Sequence, residues 1–269
     1  MCCRIKSDKN SAEFSKGMIS EIYIVGYGNL GKHLSEYFIQ NSLNFGGIFT
    51  DQNISIAGID IYRKSAINQT LKSGDVLFVT TKDDEIANVI HQIENPDVVK
   101  IYCSGSVSLE SWSTISNCGV WYPLYSFSGN ASIDWTKVPV FIEYSNEYVI
   151  ELLSNICVEL NKSFHVLDSL NRKQLHLAAV FANNFVNACL IGANEVVKEN
   201  ESLKFDFLLP IIQQTIEKVA IGNPKDCQTG PAKRHDELTL LAHSNMLKHT
   251  PSEQALYAAI SKFIKQKFD

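Results

Sequence analysis

The sequence lacks the excess of basic residues that a nucleic-acid-binding surface requires. Its 24 lysines and arginines are outnumbered by 29 aspartates and glutamates, and the formal net charge is −5 at pH 7. A nucleic-acid-binding domain typically has a basic face or stripe that attracts phosphates. We therefore expect no nucleic-acid partner.

Long apolar runs and targeting signals are also missing. No continuous apolar run approaches the roughly 18 residues that cross a bilayer, and no charged start followed by an apolar core indicates a signal peptide. Residues 1–18 are predicted to be a polar tail. We expect a soluble, cytoplasmic protein with no membrane partner.

The seven cysteines do not form a recognisable framework. Their number is odd, they are scattered, and no two are spaced as C-x-x-C. These features argue against a disulfide framework and against a zinc site. His235, Asp236 and His243 are close in sequence, but no zinc-binding spacing accompanies them. We predict no metal site.

What the sequence does have is a strand, a glycine turn and an amphipathic helix in immediate succession, EIYIVGYGNLGKHLSEYF. Gly26, Gly28 and Gly31 form a G-x-G-x-x-G motif. In a dinucleotide-binding turn the first glycine allows the tight turn, the second lets the pyrophosphate approach, and the third lets the helix pack on the strand. The N–H groups of the first helical turn, which includes Asn29 and Leu30, would bind the anion.

Asp51 follows the next apolar run and lies 20 residues after Gly31. A carboxylate at this distance typically binds the ribose hydroxyls of a dinucleotide. A structural turn without a ligand is the alternative, but the strand, the helix and the acid together favour dinucleotide binding. Because an acid repels a 2′-phosphate, Asp51 favours NAD as the cofactor.

Strands alternate with helices over about 150 residues, after which helical periodicity dominates. Uninterrupted apolar runs such as DVLFVTT are typical of strands covered on both faces. The pattern predicts a doubly wound, mostly parallel sheet in an α/β domain at residues 19–168, followed by an all-helical domain at residues 169–269. The predicted strands after the first cover residues 43–50, 75–81, 98–103, 119–124, 138–144 and 163–167, and the predicted helices of the second domain cover residues 170–200, 205–221, 231–248 and 251–268.

Several small or polar residues follow the predicted strands, where a sheet of this kind binds its ligands. Thr80 and Thr81 follow one strand, and Ser104 and Gly105 follow the next. They suit a nicotinamide ribose, although a structural turn explains each of them singly. Tyr122, at the end of a further strand, is expected to line the site.

Polar side chains recur at helical spacing in an otherwise apolar helix. His176, Asn183 and Asn187 share one face of an unbroken α-helix. They would hold a polar substrate if they faced a cleft, whereas burial in a core or a subunit interface is the alternative. Arg234 lies in the first turns of a helix predicted to begin at Pro231, where a cation opposes the helix dipole. It would bind a substrate carboxylate or a cofactor phosphate, and a salt bridge with an acid is the alternative.

Four stretches together resemble a known family: the glycine turn, YPLYSFS, HLAAVFANNFVNACL and TGPAKRHDELTLLAHSNML. From about Ser20 onward the chain is similar to a bacterial family of Rossmann-like NADP oxidoreductases with a C-terminal helical domain of unknown function. The architecture is similar to that of pyrroline-5-carboxylate reductase, deazaflavin-dependent NADP reductases and β-hydroxyacid dehydrogenases. The resemblance implies a Rossmann-type sheet, a 6-phosphogluconate-dehydrogenase-like helical domain that often forms a homodimer, and a nicotinamide cofactor, with NADP favoured over NAD.

Two positions depart from these related families. β-Hydroxyacid dehydrogenases have a catalytic lysine four residues before a helical asparagine, where this chain has Ala179 or Val180. Related families often have histidine before the proline of Y-P-L, where this chain has Tyr122. Their proton-transfer mechanism is therefore not carried over. His176 is predicted to act as the acid or base instead, because imidazole titrates near neutral pH.

The sequence thus predicts an NAD(P)-dependent oxidoreductase that transfers a hydride between nicotinamide and a small polar substrate in a cleft between the domains. His176 is the expected acid or base, Asn183 and Arg234 position the substrate, and Tyr122 lines the site. The alternative is a non-catalytic dinucleotide-binding sensor or assembly protein, which the missing lysine favours. The choice of NAD or NADP, the substrate, the reaction direction and the participation of a flavin or deazaflavin stay open.

Overall fold

The computed structural model describes residues 21–129 and 131–269. The predicted polar tail at residues 1–18 lies outside the described residues. The chain divides into two compact units, of which the first ends at Ala179 and the second comprises Val180–Asp269. The sequence places this division after Asp168.

The first unit is built on one eight-stranded sheet. Its strands are β1 (Ile22–Val25), β2 (Phe45–Phe49), β3 (Ile61–Tyr62), β4 (Val76–Val79), β5 (Val99–Tyr102), β6 (Cys118–Pro123), β7 (Val140–Tyr144) and β8 (Phe164–Val166). Their order across the sheet is β3-β2-β1-β4-β5-β6-β7-β8. All neighbours are parallel except β6 and β7, which are antiparallel. The predicted doubly wound, mostly parallel sheet is confirmed.

Helices connect the strands of the first unit and make up most of the second. In the first unit they are α1 (Asn29–Gln40), α2 (Ile67–Thr70), α3 (Asp83–Gln92), α4 (Glu147–Glu159) and α5 (Ser169–Ala179). The second unit contains a π-helical segment (Val180–Phe185), α6 (Val186–Lys198), α7 (Leu209–Ile221), α8 (Pro224–Cys227), α9 (Glu237–Met246) and α10 (Pro251–Phe268). The predicted helical character of the C-terminal part is confirmed.

Alternating residues of each central strand enter two separate hydrophobic cores. In β1, Ile24 faces the core that contains Phe38 of α1, whereas Val25 faces the core that contains Ile90 of α3. All four side chains are at most 1% exposed. Burying such a side chain contributes roughly 1.5–3 kcal/mol to the free energy of unfolding. Because helices cover both faces of the sheet, a ligand can reach the sheet only at the ends of its strands, and sheets of this kind bind ligands at the carboxyl ends.

The segment Ser169–Lys198 forms one helix of 30 residues, made of α5, the π-helical segment and α6. An 18-residue stretch of it has a mean hydropathy of 1.4, and none of that stretch is buried. Among the described residues it is the one helix that is long and apolar enough to cross a membrane by length and composition. The same stretch of chain carries polar side chains, such as Asn183 and Asn187, between its apolar ones.

Helix α9 begins at Glu237, so the predicted helix start at Pro231 was wrong. The carboxylate of Asp236 accepts hydrogen bonds from the backbone N–H (3.1 Å) and the hydroxyl (2.7 Å) of Thr239, and it caps the helix there. His235 has a φ of 54°, in the left-handed region, which turns the chain just before the cap. Arg234 therefore lies ahead of α9, and the argument that its charge opposes a helix dipole does not hold.

Candidate functional site

The glycine turn joins β1 to α1 with very close packing at two of its three glycines. Gly26 has a φ of +97°, a conformation that side-chain-bearing residues rarely adopt. A Cβ atom on Gly31 would lie 2.2 Å from the carbonyl oxygen of Gly26 and 2.7 Å from the hydroxyl of Thr80. Both positions therefore require glycine for the fold of the turn itself.

Gly28 has a different environment. A Cβ atom on Gly28 would have no atom within 4 Å, and the residue is exposed at the N-cap of α1. The first turn of α1 begins with exposed Asn29 and the partly buried Leu30, and it contains no acidic side chain. Its N–H groups have no partner within the helix, and the space beside Gly28 is open.

At the carboxyl end of β2, Asp51 contacts the guanidinium group of Arg63 and the backbone of Lys64, whose ammonium group pairs with Glu85. Arg63 donates a hydrogen bond from Nη1 to the backbone carbonyl of Asp51 (2.7 Å), and the backbone N–H of Lys64 donates to the Asp51 carboxylate (3.3 Å). Arg63 and Lys64 follow Asp51 by 12 and 13 residues, too far along the chain to be assigned to this place from the sequence. They reach it because β3 pairs in parallel with β2, with Tyr62 opposite Phe49.

The two threonines after β4 have different surroundings. The hydroxyl of Thr80 donates to the carbonyls of Gly26 (2.8 Å) and Val25 (3.2 Å), so it holds the glycine turn in place. The hydroxyl oxygen of Thr81 is buried and has no hydrogen-bond partner among the described residues. A buried hydroxyl of this kind needs a partner, and it lies where the strand order reverses, beside the glycine turn. This fits a polar group of a bound dinucleotide.

After β5, the chain makes a tight turn over residues 104–107, which we call the β5 loop. The buried hydroxyl oxygen of Ser104 accepts hydrogen bonds from the backbone N–H groups of Ser106 and Val107, both at 3.1 Å. The hydroxyl of Ser106 donates to the carboxylate of Asp83, the first residue of α3. The Ser104 side chain therefore shapes the β5 loop, and Asp83 adds a negative charge near the strand ends.

Tyr122 and His176 form a hydrogen-bonded pair at this edge of the sheet. The Tyr122 hydroxyl lies 2.9 Å from Nδ1 of His176, and the rings meet nearly edge to face at 71°. Burial raises the pKa of Tyr122, the positive charge of Arg172 opposes this rise, and the charge of Asp83 adds to it. The phenol therefore keeps its proton. The hydroxyl and Nδ1 share this hydrogen bond, and its direction depends on which ring nitrogen carries the proton.

Gly105 packs directly against this pair. A Cβ atom on Gly105 would lie 2.6 Å from Nδ1 of His176 and 2.8 Å from Cζ of Tyr122. The sequence predicted Gly105 as a cofactor contact, and the structure gives it this additional neighbour. The β5 loop, Tyr122 and His176 are therefore packed against one another as one continuous surface, which we call the Tyr122–His176 wall.

Arg172 is a residue near this wall that the sequence analysis did not identify. It is fully buried, and its Nη2 lies 2.7 Å from the carboxylate of Glu143 on β7. Glu143 is the one feature of the sequence that could have indicated such a residue, because it is the only charged residue in the strand VFIEY. A charge at such a place needs a buried partner.

The two remaining predicted residues lie in the second unit. Asn183 is exposed within the π-helical segment, and Arg234 is exposed in the turn before α9. A π-helix has more residues per turn than an α-helix. The assumption of an unbroken 3.6-residue period was therefore wrong, and spacing does not place His176 and Asn187 on a common face. Among the described residues, no group of three or more histidine, cysteine or acidic side chains is arranged to hold a metal ion.

Three solved structures, all matched over nearly the whole chain, resemble this protein. A Bacteroides fragilis protein provisionally described as an NADP oxidoreductase is 30% identical, with a TM-score of 0.81 over 92% of this chain and 98% of the other. The reductive aminase of Aspergillus terreus, solved with NADPH, is 11% identical, with a TM-score of 0.67 over 93% of each chain. The pyrroline carboxylate reductase of Plasmodium falciparum, solved with NADP, is 11% identical, with a TM-score of 0.57 over 93% of this chain and 99% of the other. The last two likenesses show the fold alone.

A family model described as a domain of unknown function, DUF2520, matches residues 138–264. Among curated proteins, none matches the sequence. The 30% identity extends over 98% of the Bacteroides fragilis protein. DUF2520 covers the last two strands of the sheet and most of the helical part that follows. The chain therefore belongs to the same family as the Bacteroides fragilis protein, a family with a Rossmann-like sheet and a helical C-terminal domain.

Proposed function

We propose that this protein is an NAD(P)-dependent oxidoreductase that transfers a hydride between a nicotinamide cofactor and a small polar substrate. The hydrogen-bonded pair of Tyr122 and His176 carries the proposal. The pair lies at the carboxyl edge of a sheet whose glycine turn opens onto free space at Gly28. A proton-handling pair beside a dinucleotide site is the combination that hydride transfer to or from a polar bond requires.

The cofactor would be held by three groups of this chain. The N–H groups of the first turn of α1 would bind the pyrophosphate, and the buried hydroxyl of Thr81 would bind a polar group near the nicotinamide. At the other end, Asp51 and Arg63 lie where the adenosine ribose of a bound dinucleotide is recognised. When bound, the cofactor supplies or accepts the hydride.

The guanidinium group of Arg63 beside Asp51 favours NADP over NAD. Arg63 uses Nη1 to hold the Asp51 carbonyl, and its other N–H groups are not engaged by any described residue. Such donors suit a 2′-phosphate, because a guanidinium group binds phosphate through several N–H groups at once. The Asp51 carboxylate, which would repel that phosphate, accepts a hydrogen bond from the backbone of Lys64. The NADP description of the Bacteroides fragilis relative supports the same choice.

His176 handles the proton that accompanies the hydride. In the protonated imidazole, Nδ1–H donates to the Tyr122 oxygen and Nε2 gives its proton to the substrate oxygen or nitrogen. In the opposite direction, the neutral ring keeps the Nδ1 proton and Nε2 accepts the proton from the substrate. The Tyr122 hydroxyl serves both states because it rotates between donating and accepting. Asn183 and Arg234 of the second unit are proposed to position the substrate.

The protein is also proposed to work as a cytoplasmic homodimer through its helical unit. Within Val180–Asp269, Ala232 and Leu240 are the only buried hydrophobic residues, and they do not amount to a core. Large apolar side chains are instead exposed along every long helix of the unit, among them Phe185, Ile211 and Phe263. Exposed apolar surface on this scale marks an interface, and a second copy of the same unit is the simplest cover for it.

The test measures NADPH consumption by the purified protein with a panel of small ketones, keto acids and cyclic imines. The proposal predicts turnover with at least one compound. It also predicts that His176→Ala loses turnover while the Kd for NADPH stays within about threefold. A protein that binds NADPH but consumes none of it across the panel would instead be a non-catalytic dinucleotide-binding sensor, which the absence of lysine at Ala179 and Val180 favours.

A further inference from the structure

Arg172 lies on α5 one helical turn before His176 and is 0% exposed. Its guanidinium group donates from Nη1 to the carbonyl of Ser104 (2.6 Å) and from Nη2 to the carbonyl of Val107 (2.8 Å). These two carbonyls stand at the two ends of the β5 loop. Arg172 therefore fastens the whole β5 loop to the helix that carries His176.

The guanidinium group is itself held in one orientation. Glu143 accepts hydrogen bonds on Oε2 from Nη2 (2.7 Å) and Nε (3.2 Å) of Arg172, and the Tyr102 ring centroid lies 5.8 Å from Cζ. Ser169 donates to Oε1 of Glu143 (2.7 Å) and accepts from the backbone N–H of Leu109 (2.8 Å). The planar guanidinium group has hydrogen-bond partners in several directions and therefore little freedom to rotate. A lysine ammonium group could not make the same set of hydrogen bonds.

The β5 loop in turn sets the position of the imidazole. Gly105, in the middle of the loop, is so close to the rings of Tyr122 and His176 that no space remains for even a Cβ atom. A displacement of the loop therefore moves the imidazole or opens a gap beside it. Displacements of about 1 Å near reacting groups reduce rates by about 100-fold.

We propose that Arg172 is a positioning residue, which holds the β5 loop against α5 and so fixes the His176 imidazole in the orientation that its hydrogen bond with Tyr122 requires. The effect on turnover rests on the proposed function, whereas the orientation of the ring can be measured without any substrate. If Arg172 served stability alone, a folded variant would keep the same ring geometry as the wild type.

The experiment records the nitrogen-15 resonances of the His176 ring in the full-length wild type and in Arg172→Lys, assigned by their loss in His176→Gln. Arg172→Lys keeps a cation beside Glu143 but loses the planar guanidinium group. In the wild type, the neutral ring should show a single tautomer, because the hydrogen bond with Tyr122 holds the ring in one orientation. In Arg172→Lys, both tautomers should be populated, and turnover should fall about 10- to 100-fold while the Kd for NADPH changes less than about threefold.

Lys173→Gln is the matched control, because it removes an exposed cation from the next position of α5 and should leave the ring resonances unchanged. A folded Arg172→Lys protein with the wild-type tautomer would overturn the proposal. If Arg172→Lys does not fold, Ser169→Ala removes the hydrogen bonds that this hydroxyl makes with Glu143, Leu109 and Arg172, and an unchanged ring in that variant would equally overturn it. A changed tautomer in a protein that binds no NADPH would support the positioning role and refute the proposed function.

Discussion

The hydroxyl of Tyr122 lies 2.9 Å from Nδ1 of His176, although 54 residues separate the two in the chain. β6 supplies the tyrosine and α5 supplies the histidine, and the glycine at position 105 packs against both rings. Because burial raises the pKa of Tyr122, the phenol remains protonated at physiological pH. The hydrogen bond between the two side chains is therefore formed without any substrate.

Tyr122→Phe tests the role of that hydroxyl, since it removes one oxygen and keeps the buried ring. We expect kcat to fall about 10- to 100-fold, because the imidazole loses the partner that orients Nδ1. The Kd for NADPH should stay within about threefold. Tyr144→Phe is the control, because the Tyr144 hydroxyl has no hydrogen-bond partner among the described residues. Equal kcat values for Tyr122→Phe and the wild type would remove Tyr122 from the mechanism.

Gly105→Ala tests the contact between the β5 loop and the two rings. The new Cβ atom would lie 2.6 Å from Nδ1 of His176, closer than any Cβ contact tolerates, so the imidazole or the loop must move. We expect a loss of at least about tenfold in turnover, measured by NADPH consumption. Gly192→Ala is the matched control, because a Cβ atom there would meet only Leu256, at 3.5 Å. Full activity of Gly105→Ala would mean that the rings have more room than the structure gives them.

The cofactor preference should depend on Asp51 and Arg63 in opposite ways. Arg63→Ala should weaken the binding of NADPH about tenfold or more and change NADH binding little, because a charge-assisted contact to the 2′-phosphate is lost. Asp51→Ala should weaken NADH and strengthen NADPH, because a ribose acceptor and a repelling charge are removed together. The measurement is the ratio of the two Kd values in each variant. A ratio that stays constant in both variants would place the ribose elsewhere.

Stability at alkaline pH should depend on Tyr37. Its hydroxyl donates to the carbonyl of Leu160 (2.7 Å), and burial, with a smaller contribution from Cys157, raises the pKa of Tyr37 to about 12. In the unfolded chain this pKa is near 10, so between pH 10 and 12 the folded state holds an additional proton. The free energy of unfolding must then fall as pH rises through this window, by roughly 1 kcal/mol per pH unit.

Urea unfolding at a series of pH values measures this dependence in the wild type and in Tyr37→Phe. At neutral pH the variant should be less stable by about 1 kcal/mol, because the Leu160 carbonyl loses its donor. Above pH 10 its stability should decline less steeply than that of the wild type. Parallel pH profiles for the two proteins would show that Tyr37 does not titrate with a raised pKa.

The sequence was sufficient for the elements that rest on local patterns. Continuous apolar strands, the glycine spacing from Gly26 to Gly31 and helical periodicity each reflect a physical requirement that acts within a few residues. The two-residue strand β3 (Ile61–Tyr62) was missed, because so short a segment has no periodicity of its own. The start of α9 was misplaced, because Pro231 suits a first helical turn as well as a preceding turn.

The site was less accessible to sequence analysis, because its contacts join distant segments. Arg172 donates a hydrogen bond to the backbone carbonyl of Ser104, which lies 68 positions away. Because the acceptor is a backbone atom, no side-chain pattern in the sequence predicts this bond. Arg63 meets Asp51 only through the pairing of β3 with β2. The π-helical segment has no local signal either, so a helical period was extended through it to Asn187.

The central claim is that the space at Gly28 receives a nicotinamide dinucleotide, and Gly28→Val tests it most directly. The φ of −80° accepts valine, and a Cβ atom at this position has no atom within 4 Å, so the variant should fold like the wild type. In a thermal-shift titration, NADPH at about 100 times its Kd should add about 2.7 kcal/mol to the wild type, a rise of several degrees, and should leave Gly28→Val unchanged. A wild-type protein whose melting temperature does not respond to NADPH, NADP, NADH or NAD would contradict the account.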